Sequence, residues 1–330
     1  MLILCGSSVS FMLNDVMGYE SPLYGRSTST MEVLPFDYLE SAAFFPHYSA
    51  VEKAEAYGIL GGIPRYLIEF SDQRSIQKNI SSRILTPGAF LYDEPSAMLR
   101  MELREPGVYA SILEAIANGH NKIREIADAI HEDSAKISKY INILSALRLV
   151  QKQFPCGEPE SSKKVLYSIT DQYFRFWYRY VFTNKSYYSL LGPEDASLEI
   201  EENLNDYMGP ALETICLQYL KRQAKIRMLP FIPYQIGRWW GSNPYIKAQD
   251  DVDILAVNKK GDEALFCECK FTNRPMPMEE YEDLMNASKA FPRIKKKYYW
   301  FISKSGFTAP VARRAESEGV TLRTIEDLYS

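Results

Sequence analysis

The sequence has no apolar run approaching the roughly 20 residues that a helix needs to cross a bilayer, which argues against a membrane span. Cysteine is sparse. Cys5, Cys156, Cys216, Cys267 and Cys269 include no CxxC pair and lack the density of a secreted disulfide scaffold, so a reducing cytoplasm fits. An excess of positive charge is also missing: the formal net charge of -4 excludes indiscriminate coating of nucleic acid and leaves only local basic patches for that purpose. The opening "MLILCGSSVSFM" lacks the basic n-region and the apolar stretch of about 7–15 residues of a signal peptide. Residues 2–5 read instead as a short buried strand, followed by a loop exposing Ser7 and Ser8 and then a helical pattern.

What is present is ordinary for a soluble globular chain: 330 residues, 46% hydrophobic and 24% charged, enough for two or three domains with their own cores. The stretch "SPLYGRSTSTMEVLPF" carries Arg26 beside Gly25, and residues 50–104 read as helices punctuated by "GGIPRYL" and "EPSAM", a small helical subdomain.

From "EPGVYASILEAIANG" the pattern changes. Tyr109, Ile112, Leu113 and Ile116 fall at helical spacing, with Gly119 as C-cap; "KIREIADAI" predicts a second helix. "DSAKISKYINILSALRLV" predicts a third, capped by Asp133 or Ser134, with Ile137, Ile141, Leu144 and Leu147 inward. Two short strand patterns then flank a polar loop in "QKQFPCGEPESSKKVLYSIT". Three helices and a hairpin in this order describe a winged helix-turn-helix. Its third helix offers Lys136 and Lys139 to phosphates, and its wing Lys152, Lys163 and Lys164. Glu132, Asp133, Glu158 and Glu160 sit among these lysines, and winged helices also serve as protein-contact modules. "DQYFRFWYRYVF" could be read as a base-stacking platform, but aromatics this dense are expected to form a core seam with Arg175 and Arg179 at its edge. The acidic stretch at 193–206 reads as the boundary to the last domain.

That last domain opens with a helix, "GPALETICLQYLKRQAK". Strand candidates follow at 232–239, 251–257, 264–271 and 298–303, with helices at about 278–290 and 308–318 and "VTLRTIEDL" closing the chain. The order implies a mixed sheet with helices on its faces. Within it, "DDVDILAVNKKGDEALFCECKF" places acids and a lysine in two apolar strands. Pleat alternation assigns Asp251, Asp253 and Leu255 to one face, with Val252, Ile254 and Ala256 on the other. Phe266, Glu268 and Lys270 likewise share a face. A hairpin pairing Val257 with Ala264 sets Asp253 opposite Glu268.

Two carboxylates so placed repel unless a cation sits between them, and oxygen ligands of this kind suit Mg²⁺ or Mn²⁺ bridging to a phosphate. Lys270 then balances charge on the reacting phosphate or orients water, and Glu213 from the preceding helix completes the acidic site. A structural salt-bridge cluster is the plain alternative. "RIKKKYYW" adds Arg293, Lys295, Lys296 and Lys297, suited either to a phosphate backbone or to keeping a strand edge soluble.

Glu213, Asp253 and Glu268-Cys269-Lys270 resemble the pattern of the PD-(D/E)XK nuclease superfamily, with Val252 where a proline often precedes the aspartate. The resemblance implies metal-dependent phosphodiester hydrolysis, Asp253 and Glu268 as metal ligands, Lys270 assisting the water and Glu213 as an additional acid. More broadly, "SPLYGRSTSTMEVLPF", "YGILGGIPRYL", "LREPGVYASILEAIANG", "DQYFRFWYRYVF" and "GPALETICLQYL" resemble a prokaryotic, archaeal-type P-loop ATPase family whose C-terminal part is the DUF234 domain.

That resemblance implies a mixed α/β, multidomain fold. Residues 1–104 would be a remnant ATPase core and helical lid, 105–192 the winged helix and aromatic connector, and 193–330 a restriction-endonuclease-like mixed sheet flanked by helices. Ser7 or Ser8 would take a nucleotide-sensing position and Arg26 the family's "LYGR" segment. No G-x-x-x-x-G-K-[ST] occurs, so the resemblance implies a member truncated at its N-terminus, and no ATP binding or hydrolysis is expected of this chain alone. The expected partner is DNA, with a protein partner or a second copy of the chain also open. A non-enzymatic regulatory module of an ATP-binding protein is the alternative to a nuclease.

Overall fold

Pro64, Pro106 and Pro193 each stand at the first position of a helix, and Gly119 and Gly319 follow helix ends in left-handed conformation, so the chain's punctuation is written largely in these residues. A computed structural model describes residues 3–6 and 11–330. Among the described residues the architecture is mixed α and β, with fifteen α-helices, a two-stranded sheet and a five-stranded sheet. No helix of the described residues is long and apolar enough to cross a membrane.

The first helices are α1 (Tyr38–Ser41), α2 (Ala50–Leu60), α3 (Pro64–Leu67), α4 (Ile76–Asn79) and α5 (Phe90–Glu102). A Ser49–Glu52 capping box starts α2. Between α2 and α3, Gly62 accepts the Phe36 N–H at 2.9 Å through its carbonyl, and a Cβ at Gly62 would stand 1.8 Å from the Phe36 oxygen, so only glycine fits. Of the buried strand expected at 2–5, residues 3–5 are exposed and irregular, with no strand beside them among the described residues to take their backbone hydrogen bonds, and residue 2 lies outside the described residues. Ser7 and Ser8 lie outside the described residues.

Next come α6 (Pro106–Ala117), α7 (Ile123–Ile130), α8 (Ser134–Ala146) and the antiparallel pair β1 (Val150–Gln153) and β2 (Leu166–Ile169), the elements of a winged helix in the expected order. Tyr109, Ile112, Leu113 and Ile116 are buried, and Asp133 caps α8 by accepting from Ala135 and Lys136. In α9 (Gln172–Tyr180) the aromatics Tyr173, Phe174, Phe176, Trp177 and Tyr178 are all buried, a core seam and not a stacking platform. The acidic stretch from residue 193 is helical, forming α11 (Pro193–Glu202) after α10 (Lys185–Leu191) and running into the long α12 (Leu204–Lys225).

The large sheet runs β3 (Pro233–Asn243), β4 (Ala248–Asn258), β5 (Glu263–Lys270), β6 (Lys296–Ser303), β7 (Thr321–Thr324) in spatial as well as chain order. The first three are antiparallel; β5, β6 and β7 are parallel, joined through α13 (Met278–Ala287) and α14 (Ala309–Glu318), and α15 (Ile325–Leu328) ends the chain. One face, with Ile254, Ala256, Leu265, Cys267 and Cys269, packs in the cluster that includes Leu212, Ile215 and Cys216 of α12. The other, with Leu255, Phe266 and Phe301, packs with Tyr281 and Leu284 of α13 and Val311 of α14. The first cluster is continuous from Tyr38 through the winged helix to Leu328.

Candidate functional site

Val257 pairs with Ala264 and Ile254 with Cys267, the register expected from the sequence. The ladder stops there, one pair short of Asp253 and Glu268. On its other side β4 has a bulge: Gly237 pairs with Leu255 but Trp239 with Val252, so Asp253 and Ile254 together oppose Arg238. The extra residue breaks the expected alternation, since Val252 packs in the same cluster as Leu255 instead of with Ile254 and Ala256. Bulges redirect side chains, and here Asp253 turns into the ladder, its Oδ2 accepting the Cys269 N–H at 2.9 Å.

Glu268 and Lys270, two residues apart on β5, form an ion pair, with Lys270 Nζ 2.9 Å from Glu268 Oε1. The same ammonium is 2.8 Å from Glu280 Oε2 in the first turn of α13. Glu213 of α12 completes the acidic group through Arg238, whose Nη1 is 3.6 Å from Glu213 Oε2 and whose Nη2 is 2.7 Å from Asp251 Oδ2.

Burial and mutual repulsion set the electrostatics. Burial, then Glu268 and Glu213, push the Asp253 carboxyl well above its usual range. Burial raises Glu268 to about 7 against the opposing pull of Lys270. Glu213 is raised by burial despite Arg238. Lys270 is raised: burial disfavours its charge, and Glu268 and Glu280 more than compensate. The site thus holds three protonation-prone acids and two firmly charged basic groups, Lys270 and Arg238, the kind of divided environment found where acid–base work is done.

Among the described residues no three His, Cys, Asp or Glu side chains are gathered closely enough to hold a metal ion. A donor set would therefore rest on Asp253 and Glu268 alone. Neither Asp253 Oδ1 nor Glu268 Oε2 takes a hydrogen bond from the described residues, and Mg²⁺ is commonly held by one or two carboxylates, with waters and substrate oxygens filling the remaining positions. Asp253 Oδ1 and Glu268 Oε2 are the oxygens such an ion would use.

Other expected residues are placed elsewhere. Lys136 is paired with Glu132 and Lys164 with Glu158, both at 2.7 Å, and Lys152 donates to Asn142. Lys139 and Lys163 are exposed. Arg293, Lys295 and Lys296 are exposed, while Lys297 is half-buried and donates to the Ser288 carbonyl. Lys296 stands opposite Glu263 whereas Lys270 stands opposite Ser303, so this cluster begins about 23 Å along the strands from Lys270. Arg26 is exposed.

Two residues of the site escape a sequence reading. Arg238 sits in "QIGRWW", where Gly237 alone hints at a bulge and nothing says which strand carries the extra residue. Glu280 had a signal: a parallel crossover from β5 to β6 returns its helix start over the end of β5, so acids in the first turn of α13 approach Lys270.

Residues 177–286 match the DUF234 family, described as archaea bacterial proteins of unknown function. The uncharacterized protein MJECL04 of Methanocaldococcus jannaschii is 32% identical over 313 residues, covering 92% of this chain and 67% of that protein. The chain belongs to the family of MJECL04. Its DUF234 domain contains Glu213, Arg238, Asp253, Glu268, Lys270 and Glu280. The crystal structure of protein VC1899 from Vibrio cholerae aligns with 12% identity and a TM-score of 0.30, over 78% of this chain and 55% of that one, too slight a likeness to bear on the DUF234 site.

Proposed function

We propose that this protein is DNA-associated and that its DUF234 domain hydrolyses phosphodiesters in the manner of the PD-(D/E)XK nucleases, with Mg²⁺ or Mn²⁺. The observation that supports the reading is the bulge in β4, where Asp253 accepts the Cys269 N–H of β5, within the electrostatic reach of Glu268, while burial raises both carboxyls. Asp253 and Glu268 would hold the cation, which when bound supplies Lewis acidity to the phosphate. Lys270 Nζ, fixed between two carboxylates, balances charge as water adds to phosphorus and the ester oxygen leaves with a proton. Glu213, linked through Arg238 to Asp251, adjusts the field on Asp253.

In this reading the winged helix carries the duplex, with Lys139 and Lys163 available for phosphates. Kinship with P-loop ATPases belongs to the same proposal, resting on the motifs from "SPLYGRSTSTMEVLPF" onward. Without a phosphate cradle of its own the chain is expected to hydrolyse no ATP.

The test is cleavage of supercoiled plasmid with Mg²⁺ or Mn²⁺ by the wild type and by Asp253→Ala and Lys270→Ala. Metal-dependent nicking lost in both variants supports the proposal; no nicking by folded wild type, or nicking unchanged in the variants, sinks it. One observation favours a second reading. Lys270 is held by two carboxylates and Arg238 by two more, a closed ionic network that also suits a non-catalytic module contacting a protein partner or a second copy.

A further inference from the structure

The large sheet is notched at one margin. β7 pairs with residues 300–303 alone, so the first half of β6, residues 296–299, has β5 on one side and no strand on the other. The Lys296 and Lys304 N–H groups go to the Asp262 and Lys270 carbonyls, so the even-numbered residues of β6 turn their main chain toward β5 and the odd-numbered ones turn it outward. The Lys297 N–H and C=O and the Tyr299 N–H therefore face the notch, and none has a hydrogen-bond partner among the described residues. Such free groups are a template for another strand.

A cleft of about 320 Å³ lies in the notch, on the α12 face of the sheet. Tyr299 lines it, yet its ring is on the opposite face, stacked on Phe266 with its hydroxyl against Ser288, so what Tyr299 gives the cleft is main chain. The cleft thus opens onto the free edge itself. Thr321, where β7 begins, closes one end. Exposed Met228 and Pro230, from the loop after α12, form an apolar rim beside half-buried Tyr298.

Charge narrows the occupant. No Asp or Glu lines the cleft, and Arg323, which does, is exposed and without a partner among the described residues. Exposed Lys295, just before β6, and half-buried Lys297 stand two residues apart and share the other face of the same edge. Antiparallel pairing of this edge with a second copy of itself would oppose these lysines to one another, whereas carboxylates opposite them are attracted. A nucleic-acid backbone would meet the cations and leave the main-chain groups unpaired. We propose that the notch takes up an extended acidic segment of a partner protein as an added strand in line with β7. Its main chain pairs with Lys297 and Tyr299, its apolar side chains cover Met228, Pro230 and Tyr298, and carboxylates alternating with them point to Lys295 and Lys297. This surface is independent of Asp253 and Glu268 and of any cleavage by the DUF234 domain.

Fluorescence anisotropy of the full chain with the fluorescein-labelled peptide Val-Glu-Val-Glu-Val-Glu tests this. Saturable binding is expected, about tenfold or more weaker for Val-Lys-Val-Lys-Val-Lys and for the acidic peptide with N-methylated amides. Hydrogen exchange over residues 295–299 should slow in the complex. Lys295→Glu combined with Arg323→Glu should weaken binding about tenfold or more while melting with the wild type, since both residues are exposed; Lys295→Glu alone decides if the double variant does not fold. No binding up to about 1 mM overturns the proposal, as does affinity unchanged in the variant or equal for the basic peptide. Binding that leaves exchange at 295–299 unchanged overturns it too. Protection of 295–299 in a dimer without peptide overturns it in favour of a second copy, and displacement of the peptide by a DNA duplex at lower concentration overturns it in favour of a phosphate backbone.

Discussion

The Oδ2 atom of Asp253 accepts the Cys269 main-chain N–H at 2.9 Å, so a side chain of β4 takes up a ladder donor of β5. Asp253→Asn keeps an acceptor there and removes a raised carboxyl; Asp253→Ala leaves the N–H unpaired. The alanine variant should be less stable than the asparagine variant by about 1–3 kcal/mol, read from urea midpoints at pH 8.

Glu268, at about 7 in the fold, lies above the roughly 4.3 of an unfolded glutamate. The folded state therefore binds more protons between these values, and stability falls as pH rises from about 4.3 through about 7. Asp253 shifts in the same direction, and Asp171 and Glu55, raised by burial to about 6 and about 7, add to the slope. Glu268→Gln should make the decline shallower than in the wild type while those others remain. A curve of unfolding midpoint against pH that superimposes on the wild type contradicts this.

Removing Lys270 and removing Glu280 should not be equivalent. Lys270→Ala strands the buried Glu268 carboxyl and should cost about 3 kcal/mol at pH 8, whereas Glu280→Ala leaves Lys270 with Glu268 and should cost about 1 kcal/mol or less. Denaturant titration of both variants gives the comparison.

Gly62→Ala places a Cβ 1.8 Å from the Phe36 oxygen. Backbone must move, and a loss of about 2 kcal/mol or more is expected, together with faster proteolysis near Phe36. A wild-type melting temperature would show that the approach of these two segments is looser than the structure has it.

If the winged helix holds DNA, Lys139 and Lys163 carry the phosphate contacts, since Lys136 and Lys164 already have carboxylate partners. Replacing both by alanine should flatten the slope of log affinity against log salt by about 2, while Lys296→Ala, paired with Glu263 at the far end of the sheet, leaves it unchanged. Fluorescence anisotropy at several salt concentrations reads this directly.

The winged helix and the strands of the last domain were legible because their apolar spacing is regular: Ile137, Ile141 and Leu144 on α8, and the alternation of β5, are found where periodicity puts them. The Val257–Ala264 register was legible for the same reason. The bulge was not, since its one glycine, Gly237, lies on the partner strand and only the pairing of β3 with β4 puts the extra residue at Asp253 and Ile254. Residues 3–5 misled because a local apolar run carries no information about whether a neighbouring strand is there to pair with it.

The loop between β1 and β2 reaches across to the large sheet: Cys156 donates its N–H to the Arg238 carbonyl at 2.8 Å, Gly157 donates to Gln235, and the Cys156 thiol contacts the Leu255 carbonyl. It shields the open flank of β3, which would otherwise offer free backbone groups to another chain. The stretch 177–286 omits this guard at one flank and β6 and β7 at the other. Excised at those limits, the polypeptide should be sticky at both margins and self-associate, so its chemistry is best studied with the preceding helices and the C-terminal strands attached.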